Sequence, residues 1–345
     1  MRVNFLGVII LTELWTDTHS QILPNLAARR LDKTYYALGT RIVLTAFGTA
    51  TEQDLDVAYD LIMRYEDLLT VNRDNSEVMA VNKAAGLHPV QVSTTVYNLT
   101  KLAVNMSQAN FGFNAAIGPL VKLWKIGFAG ANVPTPDAIS AKLALINPQN
   151  ILLNDADLSI FLTKKDMELD LGAIAKGYIA DRIGDLWASL GINSGIINLG
   201  GNLLMIGDSP LRTDKLWRIG IQDPFSKRGD AIAAVKMGPC SAVTSGIYER
   251  HLEVAGKSYH HILDPQTGYP YETDLAGVTV FTKESVQGEI ETTRFFFTGQ
   301  NVDLTGFDPH ELYGVVFVTK DRGIKVLGLP EDSFQLLDPS YHIFK

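Results

Sequence analysis

The sequence has a single cysteine, Cys240, among its 345 residues. One thiol excludes a disulfide framework and any metal site or iron–sulfur cluster built from several cysteines. The HExxH motif, zinc-type histidine or cysteine spacings and the G-x-S-x-G elbow are also missing, so a metalloprotease or an α/β-hydrolase is not supported. With a formal net charge of -8 there is no basic stripe to neutralise phosphates, which argues against nucleic acid as a partner.

The N-terminal apolar run is short. "FLGVIIL", residues 5–11, follows Arg2 and runs into "TELWTDTHSQ" without a small-x-small cleavage site or a cysteine for lipid attachment. It is also too short to span a bilayer. We therefore expect no stable membrane span and a cytoplasmic protein. The alternative is export or membrane association through this segment.

The overall composition, with 46% hydrophobic and 20% charged residues, is that of an ordinary globular protein. Hydrophobic periodicity and turn residues predict the first elements. These are a strand in "YYALGTRIVLTAFG", a helix in "TATEQDLDVAYDLIMRYEDLL" with a Thr49–Glu52 capping box, a loop over 71–86, a helix over 93–109 and a helix entered through Thr135 and Pro136. Strands dominate beyond residue 150, interrupted by helices over 173–190 and 284–297. Such partial alternation favours an α+β fold over a doubly wound parallel sheet.

The segment "MELDLGAIAKGYIADR", residues 167–182, combines features that suit a diphosphate. Gly172 lets the backbone turn from a strand into a helix, whose first N–H groups lack internal partners and attract anions. Lys176 adds an ammonium, Gly177 leaves room for a bulky group, and Asp170 could bind a cation or accept hydroxyls. The order matches neither a P-loop nor G-x-G-x-x-G. A plain strand-to-helix turn with a solvated lysine is the alternative.

Three further segments have both a structural and a ligand-binding interpretation. "NLGGN", residues 198–202, is a tight hairpin or a ligand contact. "SAVTSGIYER", residues 241–250, gathers hydroxyls and a glycine that are either a turn or a phosphate contact. The aromatic segment "NFGFNAAIGPLVKLWKIGFAG", residues 110–130, is either core or a surface that stacks on an aromatic ring.

Histidine and carboxylate chemistry is concentrated in "SYHHILDPQTGYP", residues 258–270. His260 and His261 are adjacent and would face opposite sides of a strand, so at most one enters a given site. The "DPQTG" turn would hold Asp264 and Thr267 at a rim. A histidine near a diphosphate could donate a hydrogen bond or move a proton near neutral pH.

In "SVQGEIETTRFFF", Glu289 and Thr293 are four residues apart and therefore share one helical face. A carboxylate and a hydroxyl form a hard-oxygen pair that suits Mg²⁺ held by few protein groups and by substrate phosphates. Glu291 and Thr292 point elsewhere. The same spacing is common on solvated helix faces, which is the alternative.

The order and wording of these motifs resemble the ApbE family of FAD:protein FMN transferases. The resemblance runs from Tyr36 to Val326. It rests on "ALGTRI", "NSEVMAVN", "FGFNAAIGPLVKLWKIG", "LDLGAIAKGYIADRI", "IINLGGNLLMIG", "WRIGIQDP", "AVTSGIYER" and "YHHILDPQTGYP". It implies an ApbE-type, T-fold-like α+β architecture, with mixed or antiparallel sheets and packed helices. It also implies Mg²⁺-dependent transfer of the FMN half of FAD to a Thr or Ser hydroxyl of an acceptor flavoprotein, with release of AMP. The acceptor motif implied is of the type Asp-Gly-x-Ser/Thr-Gly-Ala-Thr.

The resemblance also implies roles for individual residues. The metal would be held by Glu289, Thr293 and the backbone carbonyl of Ala173. The residues expected to contact FAD are Asn75, Ser76, Glu77, Trp124, Asp170, Gly172, Lys176, Asp181, Gly200, Gly201, Ser245 and His261. Lys176, His260, His261 and Asp264 are the catalytic candidates, and the last three are candidates for the base that deprotonates the acceptor hydroxyl.

The sequence also predicts a domain organisation and leaves two alternative functions open. Residues 1–33 would be an N-terminal extension and residues 34–345 a single ApbE-like domain of one or two lobes. The family commonly has Asp at the position of Glu289 and an aromatic residue at Val71 or Asn72, and Ile247 replaces a frequent Asp. The alternatives are a Mg²⁺-dependent FAD pyrophosphatase that releases FMN and AMP, and a non-catalytic FAD-binding protein.

Overall fold

The computed structural model describes residues 8–10 and 29–344. The chain divides into two compact units. The first consists of the described residues of Met1–Arg64 and Asp274–Lys345 together with Lys176–Ser245, and the second of Tyr65–Ala175 and Gly246–Thr273.

The described residues form a succession of strands and α-helices along the chain. In order, these are β1 (Val8–Ile10), β2 (Arg30–Ala37), β3 (Thr40–Phe47), α1 (Glu52–Leu69), α2 (Glu77–Lys83), β4 (Val90–Gln91), α3 (Thr94–Gln108), α4 (Gly118–Trp124), α5 (Pro136–Leu143), β5 (Ile151–Asn154), β6 (Ser159–Leu162), α6 (Ala175–Ser189), β7 (Gly195–Leu199), β8 (Asn202–Ile206), β9 (Trp217–Gln222), β10 (Ala231–Met237), β11 (Cys240–Gly246), β12 (His251–Val254), β13 (Lys257–His260), β14 (Leu275–Thr282), α7 (Ser285–Thr298), β15 (Leu312–Thr319), β16 (Gly323–Leu327), β17 (Phe334–Leu336) and β18 (His342–Ile343).

A nine-stranded sheet dominates the first unit, in the order β18-β16-β15-β14-β11-β8-β7-β3-β2. Antiparallel pairing prevails across it, while β16 and β18 at one edge run parallel. A second sheet has the order β1-β9-β10-β17. Antiparallel sheets with segregated helices confirm the predicted α+β class.

The alternating side chains of β8 show what packs on each face of the large sheet. Leu203 and Met205 join an apolar cluster with Ile219 of β9 and Val235 of β10, so the four-stranded sheet packs on this face. Leu204 and Ile206, on the opposite side of the strand, lie next to Gly184 of α6. The large sheet is therefore buried on both faces, by a sheet on one and by helices on the other.

The second unit contains α2 to α5, a three-stranded sheet in the order β4-β6-β5 and the hairpin of β12 and β13. Asn82 of α2 is buried and ties this unit together. Its side chain donates from Nδ2 to the carbonyl of Leu169 at 3.0 Å and accepts at Oδ1 from the N–H of Leu169 at 2.7 Å. The amide thereby replaces a neighbouring strand and fixes the backbone just before Asp170.

Several predicted elements are confirmed. The helix expected over 93–109 is α3, capped by the hydroxyl of Ser93, which accepts from Val96 N. Thr135 caps α5, and Pro136 is its first residue. The helices expected over 173–190 and 284–297 are α6 and α7, with starts two residues and one residue later.

Three local predictions are wrong. The single strand predicted in "YYALGTRIVLTAFG" is the hairpin of β2 and β3, turned at Leu38 and Gly39 with φ of 55° and 67°. The predicted loop over 71–86 contains α2. The capping box at the start of α1 was predicted for Thr49 and Glu52, but the structure has it at Thr51 and Asp54. The Asp54 carboxylate accepts from the Thr51 N–H at 2.8 Å, and the Thr51 hydroxyl accepts from the Asp54 N–H at 3.3 Å.

At the N-terminus, the structure describes part of the apolar run. Val8–Ile10 forms β1 and pairs with β9, and the rest of that run lies outside the described residues. The expected domain boundary between residues 33 and 34 falls inside β2. In the part of the chain that the structure describes, no helix combines the length and apolarity needed to cross a membrane.

Candidate functional site

Lys176, Glu289 and Asn202 meet in the first unit. The ammonium of Lys176 lies 3.2 Å from Glu289 Oε1. The side-chain amide of Asn202 donates to the same oxygen at 2.9 Å. Glu289 is buried, with 8% of its side chain exposed, whereas 29% of the Lys176 side chain reaches solvent. A buried carboxylate is therefore neutralised by a lysine that can still reach a ligand.

Three elements bring these side chains together. α6 begins at Ala175, so Lys176 lies in its first turn, where backbone N–H groups have no partner within the helix. Glu289 is one turn into α7, and Asn202 is the first residue of β8. The positive end of α6 and the ammonium of Lys176 together favour an anion at this helix start.

Asp181, an expected FAD contact, has a structural function within the first unit. Its Oδ1 accepts from the N–H of Ser285 at 2.7 Å and its Oδ2 from the N–H of Val286 at 2.9 Å. It therefore caps α7, since the side chain of Glu284, the N-cap residue of this helix, makes no capping hydrogen bond. Burial raises the pKa of Asp181 to about 6, although the two backbone bonds oppose that shift.

The space beside Gly177 is occupied by protein. A Cβ at this position would lie 2.5 Å from the carbonyl oxygen of Ser285 and 2.7 Å from the Cα of Val286. The expectation that Gly177 leaves room for a bulky ligand is therefore wrong. The glycine instead allows α6 to pass close to the first turn of α7.

Gly200 and Gly201 form the turn between β7 and β8, which confirms the hairpin interpretation of "NLGGN". Leu199 pairs with Asn202 across the turn, and both glycines have positive φ, 67° and 102°. A Cβ on Gly200 would meet the side chain of Thr40 at 2.3 Å. A ligand contact at these glycines stays a prediction.

Ser245, another expected contact, is placed by the same sheet. Val243 of β11 pairs with Asn202 of β8, so Ser245 extends past the start of β8, level with the turn. Val243 faces α7, since a Cβ on Gly288 would lie 2.7 Å from it. Ser245, two residues further on, faces the same side. Its contact with a ligand stays a prediction.

The oxygens around Glu289 are compatible with Mg²⁺. The hydroxyls of Thr292 and Thr293 donate to the Glu289 carbonyl at 3.0 and 3.2 Å, which leaves lone pairs of Thr293 for a cation. Within the residues that the structure describes, no three acidic, histidine or cysteine side chains converge as a metal cage would require. A cation at Glu289 would take its other ligands from neutral oxygens, water and phosphates, as Mg²⁺ commonly does.

Glu291 points away from this cluster, as the sequence predicted. Its carboxylate accepts from Gln287 Nε2 at 2.6 Å and from Arg294 Nε at 2.7 Å. Burial raises the pKa of Glu291, and Arg294 opposes that shift. The two partners use both carboxylate oxygens, so Glu291 is a structural residue.

Asp170, Gly172 and Ala173 form a turn in the second unit. The Asp170 N–H donates to the Ala115 carbonyl at 2.8 Å, and Asp170 Oδ1 accepts from the Gly172 N–H at 2.8 Å. Gly172 and Ala173 are exposed. Burial raises the pKa of Asp170, and the bond from Gly172 opposes that shift. Their FAD and metal contacts stay predictions.

The expected flavin-side residues Asn75, Ser76 and Glu77 lie at the start of α2. Ser76 is buried and caps the helix by accepting from the Met79 N–H at 2.9 Å. Glu77 accepts from the Ser93 N–H at 2.8 Å, which ties α2 to the start of α3. Asn75 is exposed. A flavin contact in this loop stays a prediction.

Trp124 is fully buried in the second unit. Its indole N–H donates to the Gly268 carbonyl at 2.8 Å, and its ring lies 5.5 Å from Tyr259 and 5.8 Å from Tyr269. This burial agrees with the core interpretation of the aromatic segment, and a contact with the flavin or adenine stays a prediction.

The catalytic candidates His260, His261 and Asp264 bond the backbone around them. Ile262 N donates to His260 Nδ1 at 3.3 Å, so the other ring nitrogen donates to the Tyr271 carbonyl at 2.9 Å. His261 Nδ1 donates to the Arg250 carbonyl at 3.2 Å.

The carboxylate of Asp264 accepts from the Gln266 N–H at 2.8 Å and from the Thr267 hydroxyl at 3.0 Å. The predicted "DPQTG" turn is confirmed, since Gly268 N also bonds the Asp264 carbonyl at 2.8 Å. That His260, His261 or Asp264 accepts the proton of the acceptor hydroxyl stays a prediction.

Asn202 and Ser285 belong to this cluster and are not among the site residues predicted from the sequence. The hydroxyl of Ser285 donates to Asn202 Oδ1 at 2.7 Å, which joins α7 to β8. One signal was present: Asn202 is a polar residue at the first position of an otherwise apolar strand. The need for a partner at such a buried amide points to a network.

The chain resembles known proteins over most of its length. The sequence profile of the ApbE family matches residues 38–310. A FAD:protein FMN transferase of Klebsiella pneumoniae (strain 342) is 45% identical over 287 residues, which cover 83% of this chain and 88% of the relative. A FAD:protein FMN transferase of Treponema pallidum (strain Nichols) is 33% identical over 299 residues, 83% of each chain. The crystal structure of the ApbE protein from Thermotoga maritima has a TM-score of 0.75 at 26% identity, covering 86% of this chain and 96% of that one. This chain belongs to the ApbE family.

Proposed function

We propose that this chain is an enzyme that transfers the FMN moiety of FAD to a Thr or Ser hydroxyl of an acceptor flavoprotein and releases AMP. Two relatives that are 45% and 33% identical carry the name FAD:protein FMN transferase. The observation that carries the proposal is the buried Glu289 carboxylate paired with Lys176, 3.2 Å away, in the first turn of α6. Helix N–H groups, a lysine and a hard-oxygen ligand for Mg²⁺ are groups that commonly bind a pyrophosphate.

The proposed reaction is a phosphoryl transfer. The acceptor hydroxyl oxygen attacks the phosphorus of the FMN half, the bond from this phosphorus to the bridging oxygen breaks, and AMP leaves with that oxygen. The hydroxyl proton passes to a base, for which His260, His261 and Asp264 are candidates. Such a reaction depends on positioning and charge neutralisation more than on covalent catalysis, which suits a site built around a lysine and a carboxylate.

Lys176 and the first turn of α6 would bind the diphosphate and neutralise the charge that develops on the leaving AMP. Gly200, Gly201 and Ser245 are proposed to contact the phosphates through backbone and hydroxyl groups. Asp181 stays a predicted FAD contact. The resemblance also assigns FAD contacts to the second unit, and these stay predictions: Asn75, Ser76, Glu77, Trp124, Asp170, Gly172 and His261.

Mg²⁺ is the proposed cofactor. Glu289 and Thr293 would hold it, and the resemblance adds the carbonyl of Ala173. When bound, Mg²⁺ would act as a Lewis acid on phosphate oxygens. The proposed partner is an acceptor flavoprotein with a motif of the type Asp-Gly-x-Ser/Thr-Gly-Ala-Thr, and the proposed location is the cytoplasm.

The decisive experiment combines the purified protein with FAD, Mg²⁺ and an acceptor carrying the threonine motif. We expect flavin fluorescence on the acceptor in a denaturing gel and one AMP released per flavin attached. The same acceptor with its threonine changed to alanine is the control. Rapid AMP release without acceptor would indicate an FAD pyrophosphatase. Tight FAD binding without AMP release would indicate a flavin-binding protein. Either result would contradict the proposed transfer.

A further inference from the structure

The side chain of Asn202 has an orientation that its neighbours determine. Glu289 Oε1 is a carboxylate oxygen, and the Asn202 group 2.9 Å from it must therefore be the NH₂. On the other side, the hydroxyl of Ser285 donates to Asn202 Oδ1 at 2.7 Å. Asn202 is 1% exposed, so water does not compete for these bonds. The amide is held rigidly between β8 and α7.

The two partners of the Glu289 carboxylate meet the same oxygen. Lys176 and Asn202 both approach Oε1, and the hydroxyls of Thr292 and Thr293 donate to the backbone carbonyl of Glu289. Lys176 is a flexible, partly exposed side chain whose ammonium would also be needed by a phosphate. Asn202 is neutral, rigid and buried, so it can hold Oε1 without supplying charge.

We propose that Asn202 is a positioning residue for a divalent cation at Glu289. By binding Oε1 it fixes the carboxylate rotamer and leaves the second oxygen, Oε2, for the cation. A residue that hydrogen-bonds to a metal-binding side chain orients that side chain, and its loss commonly weakens metal binding about 10–100-fold. The inference rests on the proposed function, because it requires that Glu289 bind the metal.

The contact between Asn202 and Glu289 also depends on the length of the Glu289 side chain. Replacing it with aspartate would withdraw the carboxylate by one methylene, about 1.5 Å. A donor now 2.9 Å away would then lie beyond hydrogen-bond distance. Glu289 and Asn202 therefore act as a matched pair, and Glu289→Asp should lose the contribution of Asn202.

The test measures the affinity for Mn²⁺, a paramagnetic substitute for Mg²⁺, by electron paramagnetic resonance with and without FAD. We expect Asn202→Ala to weaken Mn²⁺ binding about tenfold. Ser241→Ala is the matched control, because Ser241 is fully buried in the adjacent strand and bonds the Leu203 carbonyl at 3.0 Å. It should leave Mn²⁺ affinity unchanged.

A double-mutant cycle separates positioning from general stability. In the Glu289→Gln and Glu289→Asp backgrounds, Asn202→Ala should have no further effect on Mn²⁺ affinity. Should Asn202→Ala fold poorly, Ser285→Ala offers a second variant, which removes the hydroxyl that orients the amide and should weaken Mn²⁺ binding less.

Unchanged Mn²⁺ affinity in Asn202→Ala, together with a loss of thermal stability like that of Ser241→Ala, would overturn the inference and leave the proposed transfer intact. Equal effects of Asn202→Ala with and without Glu289 would also overturn it. Failure of the wild-type protein to bind Mn²⁺ under either condition would overturn the inference and the metal-dependent function together. Absence of FMN transfer despite tight Mn²⁺ binding would contradict only the proposed function.

Discussion

Lys176 is the cation that lies in the first turn of α6, and its position gives the first prediction. We expect Lys176→Met to reduce FMN transfer about 10²–10³-fold, because loss of one charge that stabilises the transition state typically has this effect. Transfer is measured as flavin fluorescence on the acceptor. The variant also leaves the buried Glu289 without its ion-pair partner, so we expect lower thermal stability as well.

Lys101→Met serves as the control, because Lys101 forms a surface ion pair with Asp155 at 2.7 Å. Surface pairs of this kind contribute little to stability. The Lys101→Met variant should therefore transfer FMN at the wild-type rate. A Lys176→Met protein that transfers FMN at the wild-type rate would remove Lys176 from the proposed diphosphate site.

Asp181 should also make the stability of the protein depend on pH. Burial raises the pKa of Asp181 to about 6, above the ordinary value of an aspartate. The folded protein therefore binds more protons than the unfolded chain between about pH 4 and pH 6. The stability associated with the protonated carboxyl is complete below this window and is lost as the pH rises through about 6.

We expect the free energy of unfolding of the wild type, minus that of Asp181→Asn, to fall as the pH rises from 5 to 7. Denaturant unfolding at a series of pH values provides the measurement. Asp56→Asn is the comparison, because bonds from Lys33 and Tyr35 hold the pKa of Asp56 below its usual range. That difference should stay flat from pH 5 to 7. A flat profile for Asp181 as well would contradict the raised pKa.

At the scale of elements, the close approach of α6 and α7 depends on Gly177. We expect Gly177→Ala to destabilise the protein by about 1–3 kcal/mol, because the added methyl would overlap the backbone of Ser285. The shift would also move Lys176 relative to Glu289, so FMN transfer should fall. Thermal or denaturant unfolding gives the stability, and the gel assay gives the transfer.

Gly184→Ala provides the matched variant in the same helix. Its Cβ would lie 3.4 and 3.5 Å from Ile206 and Leu204, which is ordinary contact. Alanine is the better helix former by about 1 kcal/mol. Gly184→Ala should therefore be neutral or slightly stabilising, and equal destabilisation by both variants would argue against the packing explanation.

The predictability of the elements depended on how strongly local sequence specifies each one. α3 and α5 carry apolar periodicity and an N-cap hydroxyl, so their starts could be predicted within a residue. α2 was not predicted, because it has only seven residues and its cap, Ser76, lies among other polar residues. The turn between β2 and β3 places Leu38 at a φ of 55°, which nothing in a leucine signals.

At the scale of the whole molecule, we predict that FMN transfer requires a divalent cation. We expect EDTA to abolish FMN transfer and Mg²⁺ added in excess to restore it. Glu289 with Thr293 offers few protein ligands, so binding should be readily reversible. Thermal unfolding with and without EDTA provides the control for unfolding. Full transfer in EDTA would contradict the metal requirement and leave Lys176 and the start of α6 as the groups that neutralise charge.

The sequence by itself determined the α+β class, most helices and the family, because periodicity, caps and long motifs are local properties of the chain. It also identified Lys176, Glu289 and the Gly200–Gly201 turn as unusual. Only the tertiary structure decided that Asp181 caps α7, that Gly177 adjoins Ser285 and that Asn202 binds Glu289. These contacts join residues about 100 positions apart in sequence, and their energies depend on burial and close packing, which no short stretch of sequence encodes.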